Sequence, residues 1–519
     1  MIILIGSKIG QSDIQASLGK PEYSYYFLLR EFLPALRRIG TVIEAEGAAD
    51  VDRLYDAYHD QGKPVVFLSF SPPQQTPVEL RCPTLCVFAW EFDDLPDQAW
   101  DGDPRNDWRH VFERIAAAVP CSEETARAVS RAMGPEFPVR AIPAPVWSRF
   151  ADLYPQAGWS PRRTPRPFEF TGRVIDSPRL GLSADALVRK PEPPVEIEPE
   201  KEPEVLPEPE CPPVEPPGPL SWAERRLISR TLWREWWYEL TRGPGAKRPE
   251  APAPVVEAPV PVEVPPVLEP EPEPEPETPP DPYPLGAQRL TLEGVVYVSV
   301  LNPGDGRKNW IDLITAFCWA FKDVEDATLV VKMTHHDLEY YRIVLLTLLS
   351  RLAPFRCRVL VLHGFLEEAE YRALVEASTF YVNASACEGL CLPLMEFLSA
   401  GKPVIAPRHT AMLDYLTADL GFIVETCPEP SCWSHDPTGL LRTRRHRLNW
   451  QSLMEAYRAS YRLARENPRD YRRMSTLAHR HMQAFCSVEQ VAARLSDFLE
   501  TLPQSSTERR APRLEHSLP

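Results

Sequence analysis

Several classes of protein are excluded by what this chain lacks. No membrane-spanning helix or secretory leader is visible: the opening MIILIG is too short, has no basic leader and reads as a β-strand. The expectation is a cytoplasmic protein, and cysteine usage agrees with it. Eleven cysteines show no disulfide-like framework. Cys82 and Cys86, like Cys387 and Cys391, have three residues between them, where metal knuckles and redox pairs have two. Free, buried or half-buried thiols are expected. His335 and His336 are adjacent in a loop and lack zinc spacing, Asp93-Asp94 is no metal motif, and no internal repeat is apparent. Positive charge is in deficit, with 57 Lys and Arg against 73 Asp and Glu, which argues against nucleic acid as a partner.

What is abundant is proline, and it is localised. Of the 59 prolines, 28 lie between Pro191 and Pro284, interleaved with glutamate as in EPEKEPEVLPEPE and EPEPEPEPETPP. Pro191–Leu220 and Ala251–Pro284 each carry a charge of −8, which together equal the −16 of the whole chain. The acidity therefore belongs to these two arms, and the remainder is close to neutral. Such a composition cannot bury enough apolar surface to offset its ordering entropy, so a disordered, polyproline-like insertion is predicted over 191–284.

Between the arms lies SWAERRLISRTLWREWWYELTRG, Ser221–Gly243. Ile228, Leu232, Trp233, Trp236, Trp237 and Leu240 recur at helical spacing, and Arg225, Arg226, Arg230, Arg234 and Arg242 supply positive charge. The pattern predicts a basic amphipathic helix. Three readings stand: it lies on an anionic membrane surface, which would make the protein peripheral to the inner face of a membrane, it docks on a partner protein, or it folds back on its own chain.

The most informative stretch is Tyr381–Pro407, YVNASACEGLCLPLMEFLSAGKPVIAP. YVNAS alternates like a strand, Glu388-Gly389 breaks it, Leu392–Ala400 has helical apolar spacing, and Gly401-Lys402-Pro403 stops the helix before the strand VIAP. This is a strand, turn, helix, strand unit of a parallel sheet. The strand-to-helix turn of such a unit lies at the carboxyl edge, where amides at a helix N-terminus attract phosphate. Glu388 is expected at the mouth of that turn, and Glu396 about two turns into the helix. The bland reading is a surface helix whose acids face water.

EGLCLPLMEF followed by AGKPVIAP resembles the signature of the family 4 (group 1) retaining glycosyltransferases. The resemblance implies the α/β GT-B fold, two Rossmann-like doubly wound domains, here with the Pro/Glu-rich insertion between them. It also implies that Glu388 sits by the transferred sugar, that Glu396 holds the ribose, and that the amides near Gly389, Leu390 and Cys391 face the donor. Donor use needs no catalytic metal in such proteins, and no cofactor is expected beyond a nucleotide-diphosphate sugar as substrate. VVYVSVLNPGDGRKNWIDLITAF, Val295–Phe317, is similar to the opening of that family's donor domain: a β-branched strand, a Pro-Gly-Asp-Gly loop and a helix beginning near Lys308. Lys308, assisted by Arg307, is the candidate for neutralising the leaving diphosphate. Many members carry an arginine shortly after this strand, and here Asn302-Pro303 stands in its place.

ATLVVKM, RVLVLHG and TFYVNAS continue the strand alternation of a doubly wound sheet. Lys332 resembles a donor-side basic position, against the alternative of a solvated strand-end lysine. The first 150 residues read as another α/β unit with strands in MIILIG, TVIEAE, PVVFLSF, PTLCVFAWE and AAAVPC, a helix from Glu22 to Arg38, and Ser122 as a helix cap. Glycines 6, 10 and 19 miss both common phosphate-loop spacings. FAWEFDDLP and CSEETARAV resemble acceptor-side segments of bacterial members, which makes Glu91 a candidate to orient an acceptor hydroxyl or a structural glutamate. The expected division is an acceptor-side domain at 1–150, a connecting segment at 151–190, the linker at 191–284, a donor domain at 285–502 ending in helices, and a polar tail at 503–519. The resemblance implies transfer of a sugar to a saccharide or lipid-linked hydroxyl acceptor in bacterial polysaccharide or glycoconjugate synthesis. The rivals are a GT-B scaffold that has lost activity and a nucleotide-sugar epimerase on the same fold, for which the expected acids and histidines have no place in the sequence.

Overall fold

The structure is a computed structural model that describes residues 1–6, 21–161, 165–183, 226, 230, 285–335, 339–433, 436 and 438–502. The chain divides into a large unit, Met1–Arg189 with Asp281–Pro519, and the unit Lys190–Pro280. Of the second unit only Arg226 and Arg230 are described, both helical and exposed. The expectations for the Pro/Glu arms, the rest of 221–243 and the 503–519 tail lie outside the described residues.

The large unit holds two α/β halves. In the first, β1 (Ile2–Gly6), α1 (Pro21–Ile39), β2 (Thr41–Glu44), α2 (Ala48–His59), β3 (Val65–Phe70), β4 (Thr84–Phe88), α3 (Trp108–Phe112), β5 (Ala117–Pro120), α4 (Glu123–Met133) and the short α5 (Trp147–Phe150) follow one another. The sheet is parallel in the order β2-β1-β3-β4-β5. β3 and β4 are buried along their whole length, as strands covered on both faces must be. Ser122 caps α4 as its position predicts, its Oγ accepting from the Thr125 amide.

The second half runs β6 (Arg166–Asp176), β7 (Gly286–Leu292), β8 (Val295–Leu301), α6 (Trp310–Ala320), β9 (Ala327–Met333), α7 (Glu339–Leu352), β10 (Arg358–His363), α8 (Glu368–Ala377), β11 (Phe380–Val382), α9 (Leu392–Ser399), β12 (Val404–Pro407), β13 (Gly421–Val424), a hairpin of β14 (Thr426–Cys432) and β15 (Arg442–Leu448), then α10 (Trp450–Glu466), α11 (Pro468–Cys486) and α12 (Val488–Glu500). Eight of its strands form one sheet in the order β13-β12-β11-β8-β9-β10-β6-β7. β8 to β13 pair in parallel, whereas β6 and β7 add an antiparallel edge. The two parallel-sheet Rossmann-like cores agree with the fold class expected from the sequence. Among the described residues, no helix is long and apolar enough to cross a membrane.

Local chemistry explains the elements around the motif. β11 is shorter than TFYVNAS suggests, because the Asn383 side chain accepts from the Ser385 amide at 2.8 Å and turns the chain out of the strand. α9 closes in a Schellman motif: Gly401, at φ +72°, donates to the Leu398 carbonyl at 2.9 Å, and Lys402 donates to the Phe397 carbonyl at 2.8 Å. α6 starts at Trp310, two residues past Lys308. Gly306–Lys308 form a 3₁₀ turn, and the left-handed Asn309 separates it from the helix.

One core cluster runs through both halves. Leu28, Leu29, Phe32 and Leu36 of α1 share it with Val488, Val491, Leu495 and Phe498 of α12, so the last helix packs on the first. Burying each such side chain contributes about 1.5–3 kcal/mol.

Candidate functional site

The order of the second sheet reverses between β8 and β11, and the loops leaving the carboxyl ends of these neighbouring strands carry the candidate residues. Crevices at such a reversal are where open α/β sheets bind ligands. The 302–309 loop brings Arg307 and Lys308, and the 383–391 loop brings Glu388. The two loops are tied by the Ala386 amide donating to the Arg307 carbonyl at 2.7 Å.

Glu388 is 3% exposed and fully engaged. Lys308 Nζ donates to its Oε1 and Oε2 at 2.8 and 2.9 Å, and Arg307 Nη1 donates to Oε2 at 2.8 Å. Asn383 Nδ2 donates to Oε1 at 3.1 Å, and Arg307 Nη1 also reaches the Cys387 carbonyl at 2.8 Å. Burial by itself raises a carboxyl pKa, but the charges of Lys308 and Arg307 outweigh it and hold Glu388 well below the usual carboxylate range. Arg307 continues the network to Asp305 at 2.9 Å and to Glu91 of the first half at 3.4 Å. The structure thus brings Glu91, Arg307, Lys308 and Glu388 together. Glu388, expected at the mouth of the turn, is buried inside this cluster.

Gly389 explains why the turn needs glycine. A Cβ there would stand 2.9 Å from the Trp90 nitrogen and 3.1 Å from its carbonyl carbon, so the backbones of the two halves touch at this point. Leu390 and Cys391 are buried, and Cys391 takes the left-handed φ of 61° as it enters α9. Helix starts leave amides without intrahelical partners, but Pro393 has none to offer.

Glu396 belongs to a different network. Tyr371 of α8 donates to its Oε2 at 2.5 Å. Burial first, and then the charge of Glu31 on α1, push its pKa up to about 7 against the pull of the Tyr371 hydrogen bond and of Arg149 and Arg30. Arg149 of α5 donates to Glu31 at 2.5 Å and also bonds Glu368. Among the described residues, Glu388 and Glu396 share no hydrogen-bond partner. Lys332 is likewise apart from the Glu388 cluster. It is buried rather than solvated, its ammonium donates to Thr334 Oγ1, and burial lowers its pKa to about 8.

The hairpin β14–β15 adds contacts that sequence reasoning missed. Asp93 Oδ1 of the first half accepts from Thr443 Oγ1 at 3.0 Å and from the Arg444 amide at 3.1 Å. Trp433 packs against Trp90 with ring centroids 5.3 Å apart. Asn383, Tyr371 and the segment His409–Thr410 were also missed. Asn383 alone left a signal, as a polar residue closing an apolar strand. Of the thiols, Cys82, Cys86, Cys387 and Cys391 are free and buried, as expected, whereas Cys427 and Cys432 on β14 are exposed.

No family model matches the chain, and no curated protein matches it. Solved structures that resemble it include HepE of Anabaena in complex with UDP and glucose, at 10% identity and TM-score 0.47, covering 97% of this chain and 100% of that one. Others are sucrose-phosphate synthase of Thermosynechococcus elongatus, at 13% identity and TM-score 0.46, covering 96% and 98%, and a glycosyltransferase of Rickettsia africae, at 9% identity and TM-score 0.46, covering 96% and 98%. At such identities and scores, function has to be argued from the chain's own side chains.

Proposed function

We propose that the protein is a glycosyltransferase that moves a sugar from a nucleotide diphosphate to a hydroxyl acceptor. The observation that carries this reading is the pair of cations, Arg307 and Lys308, clasped with the buried Glu388 at the carboxyl-edge reversal of a parallel sheet. As a diphosphate leaves, the anomeric carbon gains oxocarbenium character and the departing oxygens gain charge. Arg307 and Lys308 are the groups that would stabilise that charge, aided by the amides entering α9, and Glu388 would place the sugar. Glu396 would hold the ribose once Tyr371 gives way. Retention of configuration, a saccharide or lipid-linked acceptor and a place in bacterial polysaccharide or glycoconjugate synthesis follow from the sequence resemblance, as do independence of a metal and the acceptor-side part for Glu91.

The reading requires the 89–91 and 388–390 loops to part, since in the present arrangement Lys308 is engaged by Glu388 and Arg307 by Glu388, Asp305 and Glu91. That same arrangement favours a second reading, a scaffold without turnover. A thermal-shift screen against UDP, GDP, ADP and their sugars separates the two, because a ligand that binds only the folded state raises the melting temperature. Selective stabilisation by one nucleotide family, together with nucleotide release that Lys308→Ala and Glu396→Ala each reduce at least tenfold, supports transfer. No shift with any nucleotide leaves the scaffold. Wild-type release by both variants removes the site assignment.

A further inference from the structure

We propose that His409 and Thr410 are positioning residues for Glu388, joined to it by a hydrogen-bond chain in which every group has one fixed role. His409 Nε2 lies 2.9 Å from the Ser385 carbonyl. A carbonyl only accepts, so Nε2 carries a hydrogen. In the neutral ring Nδ1 is then an acceptor, and Thr410 Oγ1, 3.1 Å away, donates to it. With its one hydrogen committed, Oγ1 accepts from the Glu388 amide at 3.0 Å. The Glu388 carbonyl in turn accepts from the Ala411 amide at 3.2 Å. Both backbone groups of Glu388 are thereby held by the segment that follows β12.

Three features mark this as a built device. Ser385, Glu388, His409 and Thr410 are all buried, so an unmade bond in the chain finds no water to replace it. Thr410 has a φ of 47°, a left-handed conformation that a β-branched residue adopts only when its surroundings enforce it. The ring of His446 on β15 stacks on that of His409, centroids 4.4 Å apart and 12° from parallel, while its backbone amide donates to the Ala386 carbonyl at 2.8 Å. Burial and the neighbouring His446 push the His409 pKa down to about 4, which keeps the ring neutral near pH 7, as the chain requires. Releasing the Glu388 amide frees the loop to turn, and the carboxylate then loses its register between Lys308 and Arg307.

The effect on turnover rests on the sugar-transfer reading, whereas the chain itself does not. The test combines ¹⁵N NMR of the histidine rings, with His409 assigned by its substitution, and nucleotide release with the donor found in the thermal-shift screen. The wild type should show a neutral His409 with hydrogen on Nε2 and a hydrogen-bonded Nδ1. Thr410→Ala should abolish the Nδ1 bond and lower kcat by tenfold or more with KM for the donor within twofold. Thr410→Ser, which keeps the hydroxyl, should restore kcat to within threefold. A ring with hydrogen on Nδ1, an Nδ1 signal unchanged in Thr410→Ala, or wild-type kcat in that variant overturns the proposal. A wild type that turns over no donor overturns the transfer reading instead, and the NMR result still decides the chain.

Discussion

Two buried carboxylates eight residues apart, Glu388 and Glu396, have opposite acidities. Glu388 is driven below the usual range and Glu396 up to about 7, although they are 3% and 7% exposed. Burial pushes both upward, so partners decide the outcome. Glu388 touches two cations and an amide, while Glu396 touches a tyrosine hydroxyl and faces another acid, with Arg149 shared among several carboxylates. One pocket holds its carboxylate ionised between two cations. The other keeps a proton until the pH rises past neutrality.

The largest break in this comparison is expected from Glu388→Gln. It takes the buried carboxylate away from the half-buried Lys308 and leaves Arg307 only Asp305 and Glu91, and removing one partner of a buried pair costs about 3–5 kcal/mol. Urea denaturation at pH 7 should show that loss. Because the folded-state pKa of Glu388 lies below its unfolded value, its contribution is present above the ordinary glutamate value of 4.5 and fades as the pH falls, so the gap between wild type and variant narrows in acid.

Glu396→Gln should act with the opposite sign. The folded pKa of about 7 stands above the ordinary glutamate value of 4.5, so the stabilisation exists below 4.5 and is lost as the pH rises through 7. At pH 8 the wild type holds an ionised carboxylate in a place that favours the neutral form, and glutamine relieves this. At about 1.4 kcal/mol for each pKa unit, the variant should be about 3 kcal/mol more stable than the wild type at pH 8 and indistinguishable well below pH 4.5, measured as a pair of urea midpoints. Tyr371→Phe sharpens the comparison by the smallest step. Removing the donor should destabilise the protein by about 1 kcal/mol at pH 8 and move the Glu396 transition upward in a carboxyl ¹³C titration.

Much of the second half was legible because each strand-turn-helix unit announces itself locally. VVYVSVL and ATLVVKM are continuous apolar runs, and both proved to be strands buried nearly throughout. The β6–β7 edge was not legible, since Arg166 pairs with Leu292 across the whole insertion and no local period encodes a partner that distant. The β14–β15 hairpin escaped for a related reason. Its strands TCPEPSC and RTRRHRL are polar, and they are held by their own ladder and by Asp93 rather than by an apolar face. At the site, the motif pointed to Glu388, Lys308 and Arg307 and these do meet, while the burial of Glu388 and the separate network around Glu396 were not legible. What engages Glu388 is Arg307 and Lys308, and what surrounds Glu396 is Glu31, Arg149 and Tyr371, all remote in sequence.

Periodicity, glycine and proline punctuation and charge clustering are properties of neighbouring residues, and from them the chain alone determined two α/β halves, the acidic arms and the loop that bears Glu388. The tertiary structure decided which carboxylate is ionised, which cations are already spoken for and which histidine tautomer the core demands. Those depend on desolvation and on groups brought within about 3 Å by folding, and electrostatic energies at that range are set by the partner and not by the position in the sequence.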